Sequence, residues 1–255
     1  MRNKVYHGDC LEIMPTLPDK SVDMILCDLP FNITKNAWDK LIPFTPLWKE
    51  YKRLIKDNGA IVLNAQTPFD KVLGASNLDW LKYEWIWDKG NITGFLNANF
   101  APLKQHENIL VFSKASAAFV KNKSIAMIYN PQGVKKVNIA KKNTTKSENY
   151  DTQRIPDNYT QIFTGYPKSI LRFPQERGLH PTQKPVALFQ YLIRTYTNEG
   201  DLILDNCAGS FTTAIAAMNT NRDYICIEKD DTYFELGCKR IAEHEQRVVQ
   251  LEFEI

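Results

Sequence analysis

Residues 202–217 read LILDNCAGSFTTAIAA, and the stretch changes character halfway along. Four strand-forming residues end on Asp205. Small residues follow at Ala208, Gly209 and Ser210, and Thr212 and Thr213 open a helical pattern. A strand, a small-residue turn and a helix start form the corner of a βαβ unit. The small residues let a ligand approach the backbone, and the helix start offers free N–H groups to an anionic part. Only one glycine is present, so the GxGxxG fingerprint of dinucleotide folds is missing. About twenty residues beyond the turn, YICIEKD places Glu228 at the end of the next strand, where a carboxylate can accept hydrogen bonds from ribose hydroxyls. The pair points to a nucleoside-containing cofactor.

Working outward, the same rhythm recurs. VDMIL precedes PLWKEYKRLIK, AIVLN precedes PFDKVLGASNL, and DYICI precedes DTYFELGCKRIAEHEQ. In PVALFQYLIRTYT a proline at the first turn and apolar residues at helical spacing mark a further helix. Strands and helices alternating in this way predict an α/β fold with a doubly wound, mainly parallel, Rossmann-like sheet. KYEWIW and NILVFSK, joined only by a loop, are expected to add a hairpin-like pair at one edge.

With 255 residues the chain is long enough for one domain carrying an insertion. It shows no apolar run long enough for a membrane span and no signal-peptide core, so a cytoplasmic protein with no membrane partner is expected. Cys10, Cys27, Cys207, Cys226 and Cys238 are odd in number and scattered, which indicates neither a disulfide framework nor a zinc site. The net charge of +3 is unevenly spread. Residues 115–172 hold ten basic residues against three acidic ones, a balance of +7 that leaves −4 for the remainder. Lys121, Lys123, Lys135, Lys136, Lys141, Lys142, Lys146 and Arg154 are candidate contacts there for a polyanionic partner. Each lysine on a phosphate releases a condensed counterion, and the interleaved tyrosines and phenylalanines can stack on bases. A solvated lysine-rich loop has the same composition.

One more stretch departs from strand rules. SVDMILCDLPF, residues 21–31, ends an apolar run on Asp28 and adds Leu29, Pro30 and Phe31. Together with HGDC at residues 7–10, HPTQKP at 180–185 and the loop at 202–217, these residues resemble the S-adenosylmethionine-dependent DNA amino-methyltransferases of the β arrangement, its adenine-N6 branch in particular. The order of catalytic motif, basic segment and cofactor loop is the β order. The resemblance implies that Asp28, Leu29, Pro30 and Phe31 stand for the catalytic Asp-Pro-Pro-Tyr tetrad: the Asp28 carboxylate and the Leu29 carbonyl accept the hydrogens of an exocyclic amine, Pro30 stiffens the turn, and Phe31 stacks on a flipped base. It implies S-adenosylmethionine as cofactor, with Asp9 and Cys10 at its adenine, Asp205, Cys207, Ala208, Gly209, Ser210 and Thr212 toward its methionine side, Glu228 on the ribose, Thr182 and Lys184 near its carboxylate, and Asp28 as a further cofactor contact. It implies residues 1–114 as the catalytic half, 115–175 as a target-recognition insertion and 176–255 as the cofactor half.

DNA is the implied partner, with a homodimer and a cognate restriction endonuclease as further expectations. The chain departs from the pattern where Phe211 replaces the usual second glycine and Asn206 and Cys207 replace Pro-Phe. Phe211 either crowds the methionine tail or points away from it. Cytosine-N4 methylation, RNA as substrate and a catalytically impaired DNA-binding relative are the competing readings. The first usually opens its tetrad with serine instead of aspartate.

Overall fold

The computed structural model describes residues 2–31, 40–118, 125–142, 158–176 and 183–253. Its larger unit, residues 1–130 and 169–255, is built on an eight-stranded sheet. In chain order its strands are β1 (Lys4–His7), β2 (Val22–Asp28), β3 (Ile55–Ala65), β4 (Leu81–Thr93), β5 (Lys104–Phe112), β8 (Ile170–Arg172), β9 (Leu202–Asp205) and β10 (Asp223–Glu228). Across the sheet they run β1-β10-β9-β2-β3-β5-β4-β8. Only β5 runs against its neighbours.

β2 reads VDMILCD because it is covered on both faces, which removes the usual alternation of apolar and polar residues. Met24 and Leu26 point to one side, packing with Leu188, Leu192 and Ile193 of α4 (Val186–Tyr196) and Ala214 and Ala217 of α5 (Thr212–Met218). Ile25 and Cys27 point to the other, toward Leu47, Trp48 and Tyr51 of α2 (Phe44–Leu54) and Leu73 of α3 (Phe69–Ala75). A short α1 (Cys10–Ile13) follows β1, and α6 (Asp231–Phe253) follows β10. Truncating a core residue such as Leu192 removes about 2–5 kcal/mol.

The KYEWIW and NILVFSK runs do pair antiparallel, as β4 and β5, but they are not at the edge. β8 adds beside β4 and pairs with it along Ile86, Trp87 and Asp88. Among the described residues no helix is long and apolar enough to cross a membrane.

Pro131–Lys168 form a second compact unit inside the basic segment, whereas Ala115, Met127 and Leu171 belong to the core of the larger one. Its β6 (Lys135–Lys142) and β7 (Asn158–Thr164) pair antiparallel. Gly133 and Gly165 close the base of this ribbon, both at positive φ. A Cβ on Gly165 would stand 2.5 Å from the Gly133 carbonyl oxygen, so only glycine fits.

Candidate active site

The chain runs outward from β2 in both directions across the sheet, so strand order reverses between β9 and β2. Open α/β sheets bind ligands beyond the carboxyl ends of their strands at such a point. Asp28, Asp205 and Glu228 are the last residues of β2, β9 and β10. A cleft of about 750 Å³ opens above them.

On the β2 side, Asp28, Leu29, Pro30 and Phe31 all line the cleft. Leu29 buries its side chain, and Phe31 rests against Phe69 with ring centroids 5.0 Å apart. Lys184, from the loop before α4, reaches Asp28 with Nζ 2.6 Å from Oδ2. The same ammonium lies 3.4 Å from Glu107 of β5, which holds Lys89 of β4 at 3.2 Å. Trp87 sits opposite Glu107 in the β4–β5 register and Lys89 two residues on, so all three share one face. Lys184 and Lys89 are 6% and 7% exposed along their side chains and Glu107 14%, so these charges are removed from water and must satisfy one another. Two carboxylates and two ammoniums leave the group neutral. Burial works against the Lys184 charge, but Asp28 and Glu107 hold it protonated above the ordinary lysine range. Burial likewise opposes the Glu107 charge, and Lys184 and Lys89 pull its carboxyl below its usual value.

On the β10 side, the Glu228 carboxylate accepts backbone N–H groups from Gly209 at 2.6 Å, Asp230 at 2.8 Å and Lys229 at 2.9 Å. Burial still raises its pKa. Asp9 caps α1 by accepting from Leu11 N at 2.9 Å, and Lys229 donates to its other oxygen, which lowers its pKa. Asp9, Cys10, Cys207, Gly209 and Glu228 line the cleft. Gly209 has φ +51 and open space where a Cβ would stand, so the loop backbone faces the cleft directly.

The rest of the loop is committed to holding it in place. Asp205 is buried, accepts from Cys207 N at 3.1 Å and from the Thr213 hydroxyl, and burial pushes its carboxyl up to about 7. Ala208 N bonds Ile227 O, and Arg240 of α6 donates to Ser210 O and to the Thr212 hydroxyl. Asp205, Ala208, Ser210 and Thr212 therefore lie in the loop without lining the cleft. Asn206, where the pattern has proline, accepts from Tyr51 of α2 at 2.5 Å and directs its amide toward the Cys10 and Cys207 sulfurs. Phe211, at φ +58, is fully buried and turns toward α6, edge-on to Phe234 and over Gly237. It points away from the cleft.

Of the remaining candidates, Lys135, Lys136, Lys141 and Lys142 are exposed on β6 of the second unit. Thr182, Lys121, Lys123, Lys146 and Arg154 lie outside the described residues. Cys27 is buried in β2, which pushes its thiol up to about 12, and all five cysteines are free thiols. Sequence reasoning missed Glu107, Lys89 and Trp87. The one signal for them was a carboxylate entering the strand-like run HENILVF.

A family model described as DNA methylase, of the N6/N4 type, matches residues 22–239. Among curated proteins, the chain is 29% identical to the DNA adenine methyltransferase YhdJ of Escherichia coli strain K12, over 93% of this chain and 82% of that protein. It is 28% identical to the type II methyltransferase M.HinfI of Haemophilus influenzae, over 94% and 68%. Among solved structures, M1.HpyAVI in complex with SAM superposes with a TM-score of 0.60 at 24% identity, covering 93% of this chain and 98% of that one. The cytosine-N4-specific PvuII DNA methyltransferase superposes with 0.69 at 16% identity, covering 98% and 93%. At these identities the solved structures show the shared fold.

Proposed function

Since this chain belongs to the N6/N4 DNA methylase family, we propose that it transfers a methyl group from S-adenosylmethionine to the N6 amine of a flipped adenine in DNA. The single observation that carries this reading is the pairing of the Asp28–Phe31 tetrad with the Glu228–Gly209 loop across one cleft at the reversal of strand order.

The residues present fit the cofactor. All four line the cleft: Glu228 would offer its half-buried carboxylate to ribose hydroxyls, Asp9 and Cys10 would hold the adenine, and the glycine backbone at 209 leaves room for a close approach. When bound, S-adenosylmethionine supplies a methyl group activated on a sulfonium. The chain's own work is done on the amine. An exocyclic amine is a poor nucleophile because its lone pair is delocalised into the ring. Asp28 and the Leu29 carbonyl accept its two hydrogens and favour the pyramidal nitrogen that can attack. Lys184, with Nζ 2.6 Å from Oδ2, fixes the direction of the Asp28 carboxylate until the amine arrives. Phe31, braced by Phe69, presents a ring to the extruded base, and stacking of about 1–3 kcal/mol offsets part of the few kcal/mol that extrusion costs. After transfer the methylated nitrogen carries an extra proton, and Asp28 is placed to take it.

Asp28 at the head of the tetrad and the adenine specificity named for YhdJ support adenine over cytosine. The impaired-relative reading rested on Phe211, which is turned into the core. That M.HinfI is named a type II methyltransferase supports a cognate restriction endonuclease. A homodimer and a cytoplasmic location belong to the same proposal. Titration of the protein with S-adenosylmethionine tests the reading first: saturable binding is expected, and no detectable binding removes the enzyme assignment.

A further inference from the structure

The second unit shows which lysines share a surface, and simple alternation misplaces them. Lys136 and Lys141 are five residues apart, an odd spacing that puts side chains on opposite faces of a regular strand. β6 is not regular. Its register runs Lys142↔Asn158, Lys141↔Tyr159, Ala140↔Thr160 and Ile139↔Gln161, then shifts before resuming as Lys136↔Phe163 and Lys135↔Thr164. The shift sets an extra residue of β6 against β7 and reverses the phase of what precedes it. Directly opposed residues lie on the same face of an antiparallel pair. One face therefore holds Lys136, Ile139 and Lys141 with Tyr159, Gln161 and Phe163, and the other holds Lys135, Ala140 and Lys142 with Asn158, Thr160 and Thr164.

Each face carries two exposed lysines, so charge alone does not separate them. Aromatic rings do. Lys136 lies directly across from Phe163 and Lys141 directly across from Tyr159, and these rings are 46% and 42% exposed. The other face sets Lys135 across from Thr164 and Lys142 across from Asn158 and carries no ring. A ring left half in water beside an ammonium suits a polyanion with flat apolar parts: the ammonium takes a phosphate while the ring packs on sugar or base. A two-stranded ribbon also matches the width of the DNA major groove, about 12 Å.

We propose that the Lys136/Lys141 face of the ribbon, with Tyr159 and Phe163, is the surface that binds duplex DNA, and that the Lys135/Lys142 face is solvated. The proposal rests on the methylase reading for its partner. It accounts for the position of the β6 bulge, which gathers two lysines and two rings on one side.

The test compares two variants of equal charge in the full chain, Lys136→Gln/Lys141→Gln and Lys135→Gln/Lys142→Gln, binding a fluorescent 30-base-pair mixed-sequence duplex across a salt series. The first is expected to flatten the plot of log K against log salt by about two units, near 0.9 for each phosphate that is no longer neutralised, and the second to leave it nearly unchanged. Lys136→Arg/Lys141→Arg should restore the slope. Phe163→Ala should weaken binding at least about fivefold with the slope retained. Equal slopes for the two glutamine pairs, or a larger loss from Lys135 and Lys142, overturn the assignment of the face. If no variant changes binding while the unaltered protein still methylates DNA, the ribbon inference fails and the methylase reading stands. Absence of methyl transfer by the unaltered protein strikes that reading instead.

Discussion

Replacing Lys184 by methionine leaves Asp28 and Glu107 facing one another with only Lys89 to balance them, so the neutral group acquires a net charge of −1 inside the cleft. Removing one partner of a buried pair costs about 3–5 kcal/mol. Here Asp28 is 25% exposed and Glu107 keeps Lys89, so about 2–3 kcal/mol is the expected loss. For a chain of this size that lowers Tm by about 5–10 °C. Glu107→Gln errs in the opposite direction, leaving a net +1, and should cost about as much. The double variant restores neutrality, with Asp28 and Lys89 as the remaining pair of charges. It should therefore be about 2 kcal/mol more stable than the sum of the two single losses. Chemical denaturation of the four proteins measures this coupling. Strictly additive losses would refute the reasoning, because they would mean that the four charges do not act as one group.

Three further outcomes are expected. Asp28→Ala should reduce kcat by about 100-fold or more while S-adenosylmethionine affinity changes less than about threefold, as calorimetric titration and labelled-methyl transfer can show. Asp205 titrates near 7 in the folded chain, above its ordinary value, so the fold binds the extra proton between about pH 4 and 7. The stability this group contributes is present below pH 4 and is lost as pH rises toward 7. Relative to Asp205→Asn, the unaltered protein should lose up to about 1.4 kcal/mol per pH unit across that window, and a flat difference would contradict the buried, proton-binding carboxyl. Phe211→Gly should destabilise the fold by about 2–4 kcal/mol, since the cavity beside Phe234 outweighs the relief of a left-handed backbone. Its S-adenosylmethionine affinity should stay within about threefold, and a large gain would mean that Phe211 does crowd the cleft.

The sheet was largely legible because its signals are local. Runs such as VDMIL and AIVLN are strands by their own composition, and the turn after Asp205 is written in small residues. The tetrad and Glu228 stood out for a related reason, since a carboxylate closing an apolar strand is unusual within a few residues of itself. What escaped depends on distant pairing. Glu107 joins the site only because β4 and β5 align it with Trp87, and Lys184 meets Asp28 across 156 positions of sequence. Phe211 was ambiguous until its positive φ and the bare Cα of Gly237 set its direction. The faces of β6 were hidden for the same reason, because one bulge reverses a strand's phase without leaving a mark in composition.

The most direct test of the account is nucleoside mass spectrometry of duplex DNA incubated with the protein and S-adenosylmethionine carrying a deuterated methyl group. The expected result is deuterated N6-methyladenine with the unaltered chain and none with Asp28→Ala. Label found in N4-methylcytosine, label confined to RNA when both are offered, or undiminished transfer by Asp28→Ala would contradict it.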